Sequence, residues 1–291
     1  MTVLEVIQRS AEFLARKGVD SPRLQAELLL AHVLKVPRLQ LYLNFERPLT
    51  PAEIEALRQL VRRRGQREPL QQITGWTSFC GLEIAVNRQV LVPRPETELL
   101  AERGWQFLRQ LVGQAAAPPA GPPMALDFGT GSGCVAIALA VNCPPAQVYG
   151  VEVSAAALAL ARQNAARHGV AGRLRFLQGE GLAVLPGDLR FHLMVSNPPY
   201  IPSGELDGLQ PEVRDYEPRQ ALDGGADGLA YYRQLAAEAP PFLQRGGRLM
   251  VELGDGQAER LRALFASQKW IVEAVEDDYT QRARILVARR E

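Results

Sequence analysis

Residues 195–202 read VSNPPYIP, in which an apolar run that ends at Val195 is followed by a serine, an asparagine and two adjacent prolines. Neither proline has an N–H for a sheet ladder, so a strand is predicted to end just before Asn197. The side-chain oxygen of Asn197 and the carbonyl of Pro198 are two acceptors, and Pro199 restricts Pro198 to an extended conformation. Two such acceptors can hold both hydrogens of a planar NH2 group, while Tyr200 offers its ring face to a flat substrate. The pattern therefore favours attack by an amide or aromatic amine nitrogen. The candidate catalytic residues are Asn197, Pro198 and Tyr200, and the candidate substrate-binding residues are Asn197, Pro198, Pro199 and Tyr200.

A second motif, DFGTGSG at 127–133, follows a predicted strand and opens a predicted helix. Its glycines permit a tight turn and a close approach of a ligand to the main chain. A G-x-G-x-G pattern alone also fits a dinucleotide or simple helix packing. The absence of G-x-G-x-x-G, and an acid at Asp127 that could bind an ammonium group, favour S-adenosylmethionine. No G-x-x-x-x-G-K-[ST] loop is present, which disfavours a nucleotide triphosphatase.

Two acids follow the next predicted strands. Glu152 comes about 20 residues after the glycines, where a carboxylate can accept hydrogen bonds from vicinal ribose hydroxyls. NAD sites use the same arrangement, so Glu152 indicates only an adenosine-like ligand. Glu180, in QGEG, lies where an adenine amino group could be bound. The candidate donor-binding residues are Asp127, Gly129, Thr130, Gly131, Ser132, Gly133, Glu152, Glu180 and Asn197.

These motifs need a parallel sheet to bring them together. Strands and helices alternate after Pro123, which predicts an α/β fold with helices on both faces of a mostly parallel sheet. The last two strands are separated only by DDYTQR and should form an antiparallel hairpin at one edge. The seven predicted strands are MALDFGT, QVYGVEV, LRFLQGE, FHLMVSN, GRLMVELG, WIVEAVED and ARILVARR. We expect a seven-stranded Rossmann-like sheet, with the fourth strand next to the first and NPPY facing the glycine loop.

The first 70 residues have a helical pattern. Thr2 and Thr50 each precede a glutamate in capping-box spacing, and Ser21 precedes a proline at the first helical position. The arginines at 62–64 are expected to be a solvated helix end, although they could form a basic contact surface. Alternation and glycines beyond Leu70 indicate a hairpin. The expected domains are a helical domain at 1–72, a β-hairpin linker at 73–95 and a domain with the methyltransferase-type sheet at 96–291. A Pro/Ala/Gly loop is expected at 113–123.

Composition narrows the class of protein. The chain has 291 residues, 47% of them hydrophobic and 22% charged, with a formal net charge of +1. A sizeable core is therefore expected, and a uniformly basic nucleic-acid-binding face is disfavoured. The three cysteines have neither zinc-ligand spacing nor a histidine cluster, so no metal site is predicted. The first residues carry charges within their apolar pattern, so neither a signal peptide nor a membrane anchor is expected. We expect a cytoplasmic monomer.

Taken in order, five segments resemble the protein-(glutamine-N5) methyltransferases that modify peptide chain release factors, the PrmC/HemK family. They are FCGLEIAVNRQVLVPRPETELL, DFGTGSGCVAIALA, VEVSAAALALARQNA, VSNPPYI and YEPRQALDGGADGLAYYRQL. The resemblance implies methyl transfer from S-adenosylmethionine to the glutamine of the Gly-Gly-Gln motif in class-1 release factors. It also implies that the glycine loop, Glu152, Glu180 and Asn197 contact the donor, that Asn197–Tyr200 hold the glutamine amide, and that the N-terminal helices and hairpin dock the release factor.

Some features stay open. Family members often carry an aromatic residue after the acid of the third strand, whereas this chain has Gly181. Arg94 and Glu96 could pair, cap the following helix or close over the donor. An alternative function is methylation of an adenine or guanine exocyclic amine in nucleic acid, since NPPY suits a base equally well. The small helical domain and the near-zero charge disfavour that alternative, and no sequence-specific nucleic-acid binding is expected.

Overall fold

A computed structural model describes residues 1–113 and 121–290 of the chain. Most of the predicted 113–123 loop therefore lies outside the described residues. The chain divides into two compact units. The first unit comprises Met1–Trp76 and Leu209–Tyr216, and the second comprises Thr77–Gly208 and Glu217–Glu291.

The secondary structure follows the predicted sequence of elements. The α-helices are α1 Val3–Arg16, α2 Pro22–Leu34, α3 Arg38–Tyr42, α4 Pro51–Gly65, α5 Leu70–Thr74, α6 Pro95–Gly113, α7 Cys134–Asn142, α8 Ala155–Arg167, α9 Pro211–Arg214, α10 Ala230–Glu238 and α11 Ala258–Ser267. The strands are β1 Trp76–Phe79, β2 Leu82–Ala85, β3 Met124–Phe128, β4 Gln147–Glu152, β5 Leu174–Gln178, β6 Phe191–Ser196, β7 Leu243–Glu252, β8 Trp270–Asp277 and β9 Ala283–Arg290.

The first unit is helical, and two of its three predicted helix starts have the expected chemistry. Thr2 and Thr50 form capping boxes with Glu5 and Glu53, in which each side chain accepts from the partner's backbone N–H. Helix α2 begins as predicted, with Ser21 at the N-cap position and Pro22 first in the helix, but Ser21 has a φ of 48° and its side chain makes no cap hydrogen bond. The apolar faces of α1, α2 and α4 share one core.

The expectation of a solvated arginine run at the end of α4 is also wrong for one residue. Arg64 is only 3% exposed. Its Nη2 donates to Glu212 Oε1 (2.8 Å), and the neighbouring Arg67 donates to both oxygens of Glu212 (2.6 Å each). Glu212 lies in the segment Leu209–Tyr216, which is far from Arg64 in the sequence, so this ion pair could not be predicted from the sequence.

The second unit contains the predicted seven-stranded sheet, in the order β5-β4-β3-β6-β7-β9-β8. Strand β3 pairs in parallel with β4 on one side and with β6 on the other, which confirms that the fourth strand lies next to the first. Strand β9 is antiparallel to both of its neighbours, so the predicted edge hairpin is present, with the later strand on the inside. Strands β1 and β2 form a separate two-stranded sheet.

Helices cover both faces of the large sheet. One buried cluster includes residues of α6, α7 and α8, and the other includes residues of α10 and α11. The central strands are therefore buried on both faces and have continuous apolar runs. Across the described ranges, no helix has the length and apolar character needed to cross a membrane.

Candidate active site

The loop between β3 and α7 turns sharply at the carboxyl edge of the sheet. The N–H groups of Gly129 and Thr130 both donate to the carbonyl of Val151 in β4 (2.9 and 3.0 Å). Gly129 and Gly131 have φ values of 73° and 53°, in the left-handed region that favours glycine. A Cβ added to Gly129 would meet no atom within 4 Å. The sequence therefore places bare main chain at the point where a ligand can approach.

Asp127 is placed differently from the prediction. Its Oδ2 accepts from Thr130 Oγ1 (2.6 Å) and from the Ala136 backbone N–H (3.1 Å), and the residue is only 2% exposed. Burial raises the pKa of Asp127 to about 6. Asp127 is not among the residues that line the cleft described below. It holds the glycine loop onto α7, because a buried carboxylate needs hydrogen-bond donors and the loop supplies them. Thr130 and Ser132 are also buried.

Glu152 ends β4 and faces the glycine loop. Its Oε2 accepts from the Gly131 backbone N–H and its Oε1 from the Ser154 backbone N–H, both at 3.0 Å. These bonds fix the carboxylate, and each oxygen retains a second lone pair for a ligand hydroxyl. Glu152 also lines the cleft, so its geometry suits the predicted contact with a ribose.

The turn after β5 carries an acid followed by a glycine in a left-handed backbone conformation. Glu180 is exposed and lines the cleft. Gly181 has a φ of 68°, and a Cβ there would lie 2.7 Å from Gln234 Nε2. Apolar surface in the same cleft is supplied by Val153, which is 49% exposed, and by Tyr231.

Asn197 follows β6 immediately beside the glycine loop, because Ser196 is in register with Phe128. Its Nδ2 donates to Thr97 Oγ1 (2.9 Å). This bond shows which end of the amide is the NH2 group, and it leaves Oδ1 as the atom that can accept from a ligand. Pro198 and Pro199 line the cleft, whereas Asn197 and Tyr200 are half-buried and are not among its lining residues.

The backbone of Tyr200 is held by a glycine-rich segment. Gln257 Nε2 donates to the Tyr200 carbonyl (2.9 Å). A Cβ at Gly224 would lie 2.8 Å from Tyr200 Cα, and a Cβ at Gly228 would collide with the Tyr200 carbonyl. Burial raises the pKa of Tyr200 to about 12, so the phenol is neutral at physiological pH. The glycines in DGGADG therefore allow the close approach that fixes NPPY.

One cleft of about 280 Å³ brings together six of the twelve predicted site residues, and it has the size of a small-molecule site. It joins the glycine loop, both acids and two prolines of NPPY. The sequence analysis did not predict three groups of lining residues. The only signal for them is that they lie in segments that resemble the family. The missed residues are Gln89, Val90, Leu91, Pro218, Gln220, Ala221, Tyr231 and Gln234.

The side chain of Arg94 pairs with Glu217, a partner that the sequence did not indicate. Its Nη2 donates to Glu217 Oε2 (2.7 Å), and Glu217 Oε1 accepts from the Val92 backbone N–H (3.3 Å). Burial raises the pKa of Glu217 despite these partners. The pair therefore ties the segment before α6 to the segment that lines the cleft at Pro218. In the described part of the chain, no group of three or more His, Cys, Asp or Glu residues could hold a metal ion.

The sheet order, the glycine loop and the adjacent NPPY segment define a methyltransferase domain. The family profile of the methyltransferase small domain matches residues 114–208, and the profile of the PrmC N-terminal domain matches residues 5–75. The solved hMettl16 catalytic domain, in complex with a MAT2A 3′UTR hairpin, has the same fold. Its TM-score is 0.53 at 14% identity, over 72% of this chain and 76% of that one.

Comparison with curated proteins extends the match to nearly the whole chain. The release factor glutamine methyltransferase of Geobacter sulfurreducens is 50% identical over 265 residues, which cover 91% of this chain and 88% of that protein. The enzyme of the same name from Chlorobaculum tepidum is 46% identical over 95% of this chain and 93% of its own length. The chain belongs to the release factor glutamine methyltransferase family.

Proposed function

We propose that this chain transfers a methyl group from S-adenosylmethionine to the side-chain amide nitrogen (N5) of the glutamine in the Gly-Gly-Gln motif of class-1 peptide chain release factors. The observation that carries the proposal is the position of Asn197 and Pro198. Two acceptors for a planar NH2 group follow β6, directly beside the glycine loop after β3. The similarity to relatives with this activity supports the choice of substrate.

The residues of the cleft fit the donor. Glu152 suits the ribose hydroxyls, the open main chain at Gly129 and Gly131 suits the amino-acid portion, and Glu180 suits the adenine amine. Val153, next to Glu152 in the chain, is the apolar cover that Gly181 cannot provide. When bound, S-adenosylmethionine supplies an electrophilic methyl group on a sulfonium sulfur.

The chain's own contribution is to orient a weak nucleophile. An amide nitrogen reacts poorly because its lone pair is delocalised. Asn197 Oδ1 and the Pro198 carbonyl would accept its two hydrogens, which aims the nitrogen and favours the positive charge that develops on it. Tyr200 is a neutral phenol at physiological pH and is not required as a base, because the product's proton can leave after transfer.

We assign docking of the protein substrate to the helical domain, 1–72, with the hairpin segment 73–95 leading into the methyltransferase domain, 96–291. The PrmC N-terminal profile over residues 5–75 supports this assignment. A release factor substrate places the activity in the cytoplasm, and a monomer is sufficient, because all of the proposed site residues belong to one chain.

The experiment combines the purified chain with labelled S-adenosylmethionine and four acceptors. They are a class-1 release factor, the same factor with its Gly-Gly-Gln glutamine changed to alanine, a short Gly-Gly-Gln peptide, and duplex DNA with ribosomal RNA. We expect label on the intact factor and on the peptide, with a higher kcat/KM for the intact factor. We expect no label on the factor that lacks the glutamine or on the nucleic acids. Label on nucleic acid alone would replace the proposal with base methylation.

Asn197→Ala tests the mechanism within that assay. The substitution removes one of two acceptors for the substrate amide, so we expect kcat to fall by about a hundredfold or more. Donor affinity, measured by calorimetry, should change little. A variant that keeps most of its kcat would remove Asn197 from the mechanism.

A further inference from the structure

Asn197 is the outer member of a chain of three hydrogen-bonded side chains. Its Nδ2 donates to Thr97 Oγ1 (2.9 Å), and Thr97 Oγ1 lies 2.6 Å from Glu252 Oε2, to which it donates. Thr97 is 3% exposed and Glu252 is 1% exposed. The three residues come from the ends of β6, the first turn of α6 and the end of β7.

The direction of these bonds follows from the number of hydrogens. A threonine hydroxyl has one hydrogen. When Glu252 is ionised, its oxygens can only accept, so the Thr97 hydrogen points to Glu252 Oε2. The free lone pairs of Oγ1 then face Asn197, where they accept from an N–H but repel a carbonyl oxygen. The two ends of the Asn197 amide have nearly the same shape, so packing alone cannot choose between them. The choice is made by the hydroxyl.

The position of Glu252 is costly, which argues that it has a purpose. Burial raises the pKa of Glu252 to about 7, although the hydrogen bond from Thr97 and the charge of Arg284 oppose this. Arg94 and Glu96 are the other charged groups that influence it, with opposite signs. The Glu252 carbonyl is engaged separately, by Tyr232 Oη (2.8 Å). The carboxyl therefore has Thr97 as its side-chain donor.

We infer that Thr97 and Glu252 are positioning residues, which hold the amide of Asn197 with Oδ1 toward the substrate. The inference rests on the proposed function of Asn197. Without the hydroxyl, the amide can turn its NH2 group toward the substrate, where it would oppose the substrate's own N–H groups.

The kinetic test compares Thr97→Val, which keeps the shape and removes the hydroxyl, with Thr97→Ser, which keeps the hydroxyl. We expect Thr97→Val to lower kcat by about tenfold to a hundredfold, with donor Kd unchanged, and Thr97→Ser to retain most of the kcat. In an Asn197→Ala background, Thr97→Val should have no further effect, because it acts through that amide. An additive loss, or a fall in both Thr97 variants with weaker donor binding, would mean a merely structural role.

A second readout does not depend on activity. In ¹⁵N spectra of the protein without donor or substrate, the side-chain amide signal of Asn197 is identified by its loss in Asn197→Ala. We expect this signal to keep its position in Thr97→Ser and to move in Thr97→Val. An unmoved signal in Thr97→Val would overturn the inference. An unchanged kcat in that variant would also overturn it, provided that the wild type methylates release factor. If the signal moves but the wild type methylates no release factor, the proposed function fails and the orientation of Asn197 stands.

Discussion

At the scale of single residues, buried carboxyls hold the parts of the site together. Asp127 fixes the glycine loop, Glu217 binds Arg94, and Glu252 accepts from Thr97. Burial raises the pKa of all three. Each carboxyl therefore costs stability when it ionises, and the polar groups around it recover only part of that cost.

This cost gives a prediction for Glu252→Gln. The pKa of Glu252 is about 7 in the folded chain against an ordinary value of 4.5, so the folded state binds more protons between those values. The free energy of unfolding of the methyltransferase unit should therefore fall as pH rises from about 4.5 to 7, by on the order of 3 kcal/mol from this residue. Glu252→Gln has no carboxyl to titrate at this position, so its stability lacks this pH dependence.

The measurement is urea unfolding of wild type and Glu252→Gln at a series of pH values. We expect the difference between the two unfolding free energies to change across that range and to level off above it. Parallel curves would show that Glu252 does not titrate with a raised pKa.

At the scale of elements, α6 can pack closely on the sheet because it has no side chain at Gly104. A Cβ there would lie 2.7 Å from Leu139 Cδ2 in α7 and 3.2 Å from Leu193 Cδ2 in β6. Both leucines are fully buried and cannot move aside freely. This packing fixes the helix whose first turn carries Thr97.

Gly104→Ala should therefore destabilise the protein, although alanine favours helix by about 1 kcal/mol. We expect a net loss of about 1–2 kcal/mol from overpacking. The matched control is Gly113→Ala at the end of the same helix, where a Cβ meets no atom of the described residues within 4 Å. Denaturant unfolding should rank Gly104→Ala below wild type and Gly113→Ala at or slightly above it. The reverse order would mean that α6 adjusts to the extra methyl group.

At the scale of the whole molecule, the chain does not follow a simple order of domains. It leaves the second unit after Gly208, contributes Leu209–Tyr216 to the first unit and returns at Glu217. Besides the ion pairs of Glu212, the carbonyl of Tyr216 accepts from Gln72 Nε2 (3.1 Å). Deleting residues 1–72 would strip this segment of its partners, so a truncated chain is a poor test of docking.

Glu212→Gln tests the link within the first unit. It leaves buried Arg64 without its charged partner, so we expect a loss of about 3 kcal/mol in the stability of that unit. Burial alone would raise the pKa of Glu212, but hydrogen bonds from Arg67 and Arg64 outweigh it and the pKa is lowered. The contribution is therefore present above the ordinary glutamate pKa and is lost as pH falls through the lowered value.

Thermal unfolding of the full chain at pH 7 and at pH 3 measures this effect. The gap between wild type and Glu212→Gln should be large at pH 7 and smaller at pH 3. Equal stability at pH 7 would show that the ion pairs contribute nothing net.

The amino-acid sequence was sufficient to predict the sheet, its edge hairpin and the two capping boxes, because these depend on local periodicity and on residues three positions apart. It also determined that NPPY and the glycine loop meet, since parallel strands end at one edge. The resemblance to the release factor methyltransferases followed from five motif segments that occur in the same order along the chain.

The partners of the buried polar groups could be identified only in the folded chain. Asp127 accepts a hydrogen bond from the Ala136 backbone N–H, and Arg64 is buried and bound to Glu212. Asn197 is oriented by Thr97, 100 residues earlier in the chain. The physical reason is that a buried polar atom must find a partner, but it finds the one that folding brings near. Sequence periodicity indicates which side chains are buried, and it contains no information on which of them meet.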